Sequence, residues 1–311
     1  MKLLELSNHL NISFQGDPNK EIEGLTTPQE PDPKKLCYVS NKKFINNNLK
    51  NAGAVLCSEE LVQFIPNKNI IFSNAAKIVF AEITNIFASK YLPINPKIFK
   101  EKNVKIGLNF LHGHNVVIED SAVLGENVTL SHNVVIHKGV KIGNNVIIGS
   151  GTVIGSEGFG NVLNPDGSWK HVTHHGSVII CNNVSIGSNC SIDRGTIGNT
   201  VLNNGVIIDN QVHIAHNVEI GENTAIAANV GIAGSTKIGK RNLIGGMVGI
   251  IDHITTVDDV TISATSTVSR NIKKPGVYTG IMPISQHALW KRLAFWITKL
   301  DKIAKLINFK N

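Results

Sequence analysis

A six-residue period constrains this chain of 311 residues more than any other feature. An aliphatic residue recurs at Ile106, Ile118, Leu124, Leu130, Ile136, Ile142, Ile148 and Ile154, broken only by His112. A second track runs two residues earlier, through Val104, Phe110, Val116, Ala122, Val128, Val134, Val140 and Val146. After an interruption the first track resumes at Ile180, Ile186 and Ile192, slips, and runs in steps of six from Ile208 to Ile250, then through Ile262 and Val268, with Thr256 the exception. Between them stand Gly and Asn, as in Ile142-Gly143-Asn144-Asn145 and Ile220-Gly221-Glu222-Asn223. These residues tolerate the positive φ of tight corners. Each hexapeptide therefore reads as one short strand and one corner. Three of them close a triangular coil of about 18 residues, and stacking coils about 4.8 Å apart pairs every strand and buries the aliphatics inside. Residues 104–270 suffice for roughly nine such coils.

The rest of the composition agrees with a repetitive β architecture. Glycine is plentiful at 28 residues, while charged residues are 17% and aromatic residues 5% of the chain. Residues 1–100 lack the period and read as a small α/β domain. Leu36–Val39, Ala54–Cys57 and Ile70–Phe72 are its β-rich runs, Ala75–Phe87 is a helix candidate, and Pro93 and Pro96 mark a linker. Residues 101–275 form the prism. Residues 276–311 form a C-terminal helical extension, because Leu289, Leu293, Trp296, Leu300 and Ile303 follow helical spacing beyond Pro275 and Pro283, with basic residues on the remaining face.

No apolar run approaches the roughly 20 residues of a membrane span, and Glu5, Asn8 and His9 interrupt the first leucines, so a soluble cytoplasmic protein is expected, with at most transient membrane contact. Cys37, Cys57, Cys181 and Cys190 show no Cys-x-x-Cys spacing; reduced, mostly buried thiols are expected, with no metal knuckle. The net charge of +7 fits nucleic acid, an anionic surface or an acidic protein. Lys273, Lys274, Lys291, Arg292, Lys299, Lys302 and Lys305 concentrate it near the C-terminus, but no nucleic-acid motif accompanies them.

The interruption at 156–177 is too long for a corner and is expected to loop out of the prism. Its histidines, His171, His174 and His175, read as exposed loop residues. Asp209, His213 and His216 fall on one coil, and His253 follows His216 by 37 residues, which puts it two coils up, about 10 Å away on nearly the same face. Both could touch one bound molecule.

Six ordered motifs carry a resemblance. Glu157-Gly158-Phe159-Gly160, Ile192-Asp193-Arg194-Gly195, Ile208-Asp209-Asn210-Gln211, Ile214-Ala215-His216-Asn217, Ala233-Gly234-Ser235 and Pro275-Gly276-Val277-Tyr278 together resemble the UDP-3-O-acylglucosamine N-acyltransferases of lipid A synthesis. The resemblance spans nearly the whole chain. It implies a left-handed parallel β-helix, a homotrimer with sites between neighbouring prisms, and transfer of a 3-hydroxyacyl chain from acyl carrier protein, through its phosphopantetheine thioester, to the 2-amine of UDP-3-O-acylglucosamine. No other cofactor is implied. Carried over residue by residue, it makes His216 the general base, Asp209 the carboxylate that orients it, either across a corner or across the trimer interface, Gly234 the oxyanion donor and His253 a substrate contact. Tyr38, Asn41 and Phe44 match a uridine grip of two rings and an asparagine. Arg270 and the basic residues after it match the carrier-protein site.

Other readings stay open at this stage. Tyr38 and Phe44 also fit a half-buried strand with two core rings. Small residues at Ser263, Ala264, Ser266 and Thr267 are expected to wall an acyl groove with room for a long chain. Ile180-Cys181-Asn182 replaces an Ile-Gly-Asp corner, and His213 stands where relatives carry glutamine. An O-acyltransferase acting on UDP-N-acetylglucosamine, a three-histidine metal hydratase of the carbonic anhydrase type, and a scaffold or coenzyme A acetyltransferase are the rivals.

Overall fold

The computed structural model describes residues 1–87, 98–280, 284–300 and 302–303. Backbone packing divides the chain into two units, 1–91 and 92–311.

In the second unit the corners set the shape. Asn109, Asn127, Asn145 and Asn183, and a second series including Asn115, Asn133 and Asn189, have φ between 55° and 59°. Asparagine visits this left-handed region at low cost because its short amide bonds locally. Here the amides also join consecutive coils: Asn109 donates to Asn127 at 2.9 Å, Asn127 to Asn145 at 2.9 Å and Asn145 to Asn183 at 3.0 Å. Between corners, two-residue strands pair in parallel with the coil above, as Val135 with Val153 and His213 with Gly231. The result is a left-handed parallel β-helix with three sheets: a first of seven strands from Lys105–Ile106 to Lys237–Ile238, a second of nine from Leu111–His112 to Gly276–Tyr278, and a third of nine from Ile98–Lys100 to Thr267–Val268.

The inner residue of each strand is the six-spaced aliphatic. Ile118, Leu130, Ile136, Ile148, Ile154, Ile192, Ile214 and Ile232 are fully enclosed in one continuous core. Burying such a side chain contributes about 1.5–3 kcal/mol before entropy is counted. The slip has a simple origin. The corner after Ile192 is four residues longer than the others, and the track resumes at Leu202, ten residues on and fully buried, so Leu202 belongs to the series although the spacing alone hides it. The interruption at 156–177 leaves the prism as an antiparallel hairpin of Asn161–Leu163 against Trp169–His171.

Thr256, the exception in the track, is buried for a polar reason. Its hydroxyl accepts from Asn242 Nδ2 at 2.7 Å and from the Gly239 amide at 3.0 Å, while Asn242 Oδ1 accepts from the Val260 amide at 2.8 Å. Thr224 joins the same chain by accepting from the Asn242 amide at 3.1 Å.

The first unit holds α1 (Leu3–Leu10), a five-stranded sheet in the order β1-β5-β4-β3-β2, and α2 (Ala76–Ile86). Its strands are β1 (Ser13–Gln15), β2 (Gly24–Thr26), β3 (Lys35–Val39), β4 (Ala54–Cys57) and β5 (Ile70–Phe72); β1 is antiparallel to β5 and the rest are parallel. The three β-rich runs and the helix expected here are present. Cys37 and Cys57 lie in its interior, where burial pushes both thiols up to about 11. At the other end of the chain α3 (His287–Ile297) is amphipathic, and none of its residues is buried. Pro93, Pro96, Pro283 and the expected helix beyond residue 303 lie outside the described residues.

Replacing Thr256 with Val restores the aliphatic track yet leaves the buried Asn242 amide and Gly239 N–H without their acceptor. It is expected to destabilise by about 1–3 kcal/mol, read as a lower denaturant midpoint.

Candidate active site

Residues on the outer side of the strands stack in columns, and each sheet presents a different chemistry. The first sheet shows Lys105, Val123, Lys141, Ile179, Val201, Glu219 and Lys237. The upper part of the third sheet shows His213, Gly231, Gly249 and Thr267. At Gly231 and Gly249 a Cβ would meet nothing within 4 Å, so these glycines leave bare backbone as the floor of an open groove. The groove has a volume of about 740 Å³, and His216, Gly234, Asp252 and His253 form one side of it.

That side is the corner between the third and first sheets. Ile214, Ile232, Ile250 and Val268 are paired in successive coils, so His216, Gly234, Asp252 and Arg270, each two residues further on, take the same corner position one coil apart. His253 is therefore one place round the corner from the residue that stands over His216; its φ is 56° and its amide donates to the Gly234 carbonyl at 3.0 Å. Gly234 lies against the imidazole. A Cβ there would be 2.6 Å from His216 Nε2, and the Gly234 amide donates to no described residue. On the opposite edge of the ring, His216 Nδ1 is 3.1 Å from Asn217 Oδ1 and 3.4 Å from Thr196 Oγ1.

The loop histidines divide. His171 is exposed and bonds Glu157 at 2.8 Å. His174 is not an exposed loop residue: it is 2% exposed and its ring meets the His216 ring edge-on, centroids 5.2 Å apart. Its Nδ1 faces the Val172 carbonyl at 3.0 Å, and its buried Nε2 has no hydrogen-bond partner among the described residues. The Glu-Gly-Phe-Gly motif now has a physical account. Glu157 accepts from the His171 ring and the His174 amide. Burial alone would raise its carboxyl, but these bonds hold it below the ordinary carboxylate value. Gly158 gives room to Asp193 and to the His216 Cβ, Phe159 borders the groove, and Gly160 lies under His174, where a Cβ would be 2.3 Å from the ring.

His213 opens into the same groove, and its Nε2 is 3.6 Å from a carboxylate oxygen of Asp193, which is buried and also accepts from Ser156 Oγ at 2.9 Å. The spacing of the sequence had suggested none of the contacts of His174, Asp193 or Asn217; the last two sit inside motifs that were visible, but their partners come from other coils.

Several expected groupings are not made within one chain. Asp209 stands at the preceding corner, between the second and third sheets, and its carboxylate accepts from the amide and side chain of Asn210 at 2.7 and 2.9 Å. A prism face separates it from His216. Ser263 and Ala264 line a separate groove on the second sheet, with Ala225 and Leu243. Ser266 is buried, its Oγ accepting from the Gly280 amide at 3.0 Å, and of the four small residues only Thr267 borders the His216 groove. Arg270 is exposed beside a smaller cavity of about 330 Å³ with Tyr278. In the first unit Tyr38 is half-buried and stacks on Phe80 at 4.5 Å, while Phe44 is exposed with Lys43 Nζ over its ring. No ring contact joins Tyr38 to Phe44 among the described residues. Asn41 Oδ1 caps the next turn by accepting from the Lys43 amide at 3.1 Å. Among the described residues no helix is long and apolar enough to cross a membrane.

A family profile for the bacterial transferase hexapeptide (six repeats) matches residues 121–156 and 199–234. Solved structures sharing the fold include UDP-N-acetylglucosamine acyltransferases from Bacteroides fragilis, with TM-score 0.53 and 26% identity over 62% of this chain and 73% of the other, and from Francisella novicida, with TM-score 0.54 and 24% identity over 68% and 76%. Two relatives described as UDP-3-O-acylglucosamine N-acyltransferase match nearly end to end. The one from Vesicomyosocius okutanii is 46% identical and the one from Ruthia magnifica 45%, each over 98% of this chain and 96% of the relative. With that identity over almost its full length, and with the repeat and the histidine-lined groove in place, the chain belongs to the UDP-3-O-acylglucosamine N-acyltransferase family.

Proposed function

We propose that this enzyme carries a 3-hydroxyacyl group from the phosphopantetheine thioester of acyl carrier protein to the 2-amine of UDP-3-O-(3-hydroxyacyl)glucosamine, with His216 as the general base. The observation that carries this reading is the half-buried His216 imidazole, with Nε2 toward Gly234, at the side of a groove floored by bare glycine backbone. An acyl chain lying on Gly231 and Gly249 meets no side chain, and its thioester carbonyl comes to the imidazole. The amine attacks that carbonyl while Nε2 takes its proton. The tetrahedral intermediate then collapses, the C–S bond breaks, and the proton returns to the departing thiolate. A neutral imidazole has a basicity suited to this work near neutral pH. The Gly234 N–H, which donates to no described residue, is proposed as the donor to the developing oxyanion.

Asp252 and His253, two coils above His216, are offered as contacts to the sugar. Asn41 and the exposed Phe44 are offered as uridine contacts, together with the face of Tyr38 that Phe80 leaves free. Exposed Arg270, with Lys273 and Lys274, is proposed to receive the acidic carrier protein in a salt-sensitive encounter. The amphiphilic product implies at most a transient contact with membrane, and reaction in the cytoplasm is part of the same proposal.

Assembly as a homotrimer is supported by the faces of the prism. The second sheet exposes Ile147, Ile207 and Leu243, each by more than half, in a column with Ser185, Ala225 and Thr261, whereas the first sheet mixes Lys105, Lys141, Glu219 and Lys237 with Val123, Ile179 and Val201. An apolar column of this length suits contact with a second copy. Asp209, a prism face away from His216 in its own chain, can orient an imidazole only if it reaches the His216 of a neighbour.

The direct test is transfer of a 3-hydroxyacyl chain from acyl carrier protein to UDP-3-O-acylglucosamine. His216→Ala is expected to lose about 10²–10⁴-fold in kcat with assembly intact. Preferential acylation of UDP-N-acetylglucosamine by the wild type would overturn the substrate assignment. Gly234→Ala places a methyl against Nε2 and is expected to cost about 10²-fold, the scale of a small misplacement at a reacting centre. Leu243→Asp should leave the prism folded by circular dichroism but give a smaller species on sedimentation, with activity lost alongside.

A further inference from the structure

We infer that Asn217, clamped by the widened corner after Ile192, holds His216 in the tautomer whose Nε2 is free to accept a proton; this rests on His216 being the base. The Ile-Asp-Arg-Gly motif leads into that corner, and the catalytic reading above gives it no task.

The corner grips both ends of the Asn217 amide. Asn217 Nδ2 donates to the Ile197 carbonyl at 2.7 Å, and Asn217 Oδ1 accepts from the Thr196 amide at 2.9 Å. A carbonyl and an N–H from consecutive residues leave only one orientation for the amide, since the flipped form would set NH₂ against N–H and oxygen against oxygen. The atom that faces His216 Nδ1 at 3.1 Å is therefore an oxygen. It has nothing to donate, so Nδ1 must carry the proton and Nε2 the lone pair. The other neighbour of Nδ1, Thr196 Oγ1 at 3.4 Å, is a rotatable hydroxyl that imposes neither form.

The surroundings are built for this grip. Gly195 has no Cβ where one would be 2.8 Å from Asn217 Nδ2. Arg194 ties the corner to the coils below through the Gly155 and Lys138 carbonyls at 2.6 and 3.0 Å. The Asn217 amide donates to the buried Thr200 hydroxyl at 2.8 Å, and Asn217 itself takes φ of 60°, which asparagine tolerates. Among the described residues no carboxylate of the same chain replaces it on Nδ1: the titratable groups around the ring are His174, across the ring edge, and Asp252, His253 and the His213–Asp193 pair along the groove. The orienting partner of the base is thus a neutral amide held by backbone.

The test is the pH dependence of kcat and kcat/KM for the wild type, Asn217→Gly and Asn217→Asp, with assembly and melting measured for each. Glycine keeps the positive φ and removes the amide; kcat is expected to fall at least about tenfold on the plateau while KM changes by less than about threefold, since the imidazole then loses both its fixed tautomer and its fixed orientation. Aspartate keeps the acceptor and adds charge, which favours imidazolium; the acid limb of kcat/KM should move up by about one pH unit. If both variants keep the wild-type acid limb and kcat and differ only in KM or melting, Asn217 serves the corner alone and the inference falls. If Asn217→Gly fails to assemble, the acid limb of Asn217→Asp decides. Full activity of His216→Ala would instead remove the base reading, a separate outcome.

Discussion

Parallel backbone pairing between successive coils is the interaction on which the rest of this molecule depends. Each coil donates N–H groups to the carbonyls of the next, as His213 to Val230 and Gly231 to Val248, both at 3.0 Å. Because the bonds recur at a constant chain interval, a residue's position round the prism follows from its number. That rule stacks His216, Gly234, Asp252 and Arg270 at one corner and His213, Gly231, Gly249 and Thr267 on the adjoining face. The groove is the product of register; no loop has to close over it to give it a floor.

Chemistry enters where the period fails. The hairpin at 156–177 brings His174 and Phe159 to His216, and the lengthened corner after Ile192 brings Thr196 and Ile197 to Asn217. A third failure, Thr256, is internal and builds a fully bonded polar chain with Asn242. At the lengthened corner and at Thr256 the polar groups withdrawn from the aliphatic pattern are matched by hydrogen bonds, the usual condition for burying them, whereas the hairpin leaves His174 Nε2 buried without a partner among the described residues.

The faces of the prism also bear on the proposed assembly. The His216 groove is open along its outer side, and the apolar column of the second sheet lies bare in a single copy. Asp209 is a full face away from the imidazole that it was expected to orient. A neighbouring prism would supply a second wall for the groove and cover for the column at once.

The sequence by itself determined the β-helix, because a period of six with Asn and Gly corners admits one way of burying its aliphatics. It also determined the α/β character of the first unit, the existence of the excursion at 156–177, and the placing of His253 two coils above His216 on nearly the same face. What it left to tertiary structure are contacts between residues that the period does not relate: His174 on His216, Asp193 on His213, the Ile197 and Thr196 backbone on Asn217, and Tyr38 on Phe80. The same holds for the separation of Ser263 and Ala264 from the His216 groove. Spacing predicts position only while the coil repeats. At an insertion the path of the chain is chosen by packing and by the pairing of particular donors with particular acceptors, and those partners lie on coils that the local pattern does not connect.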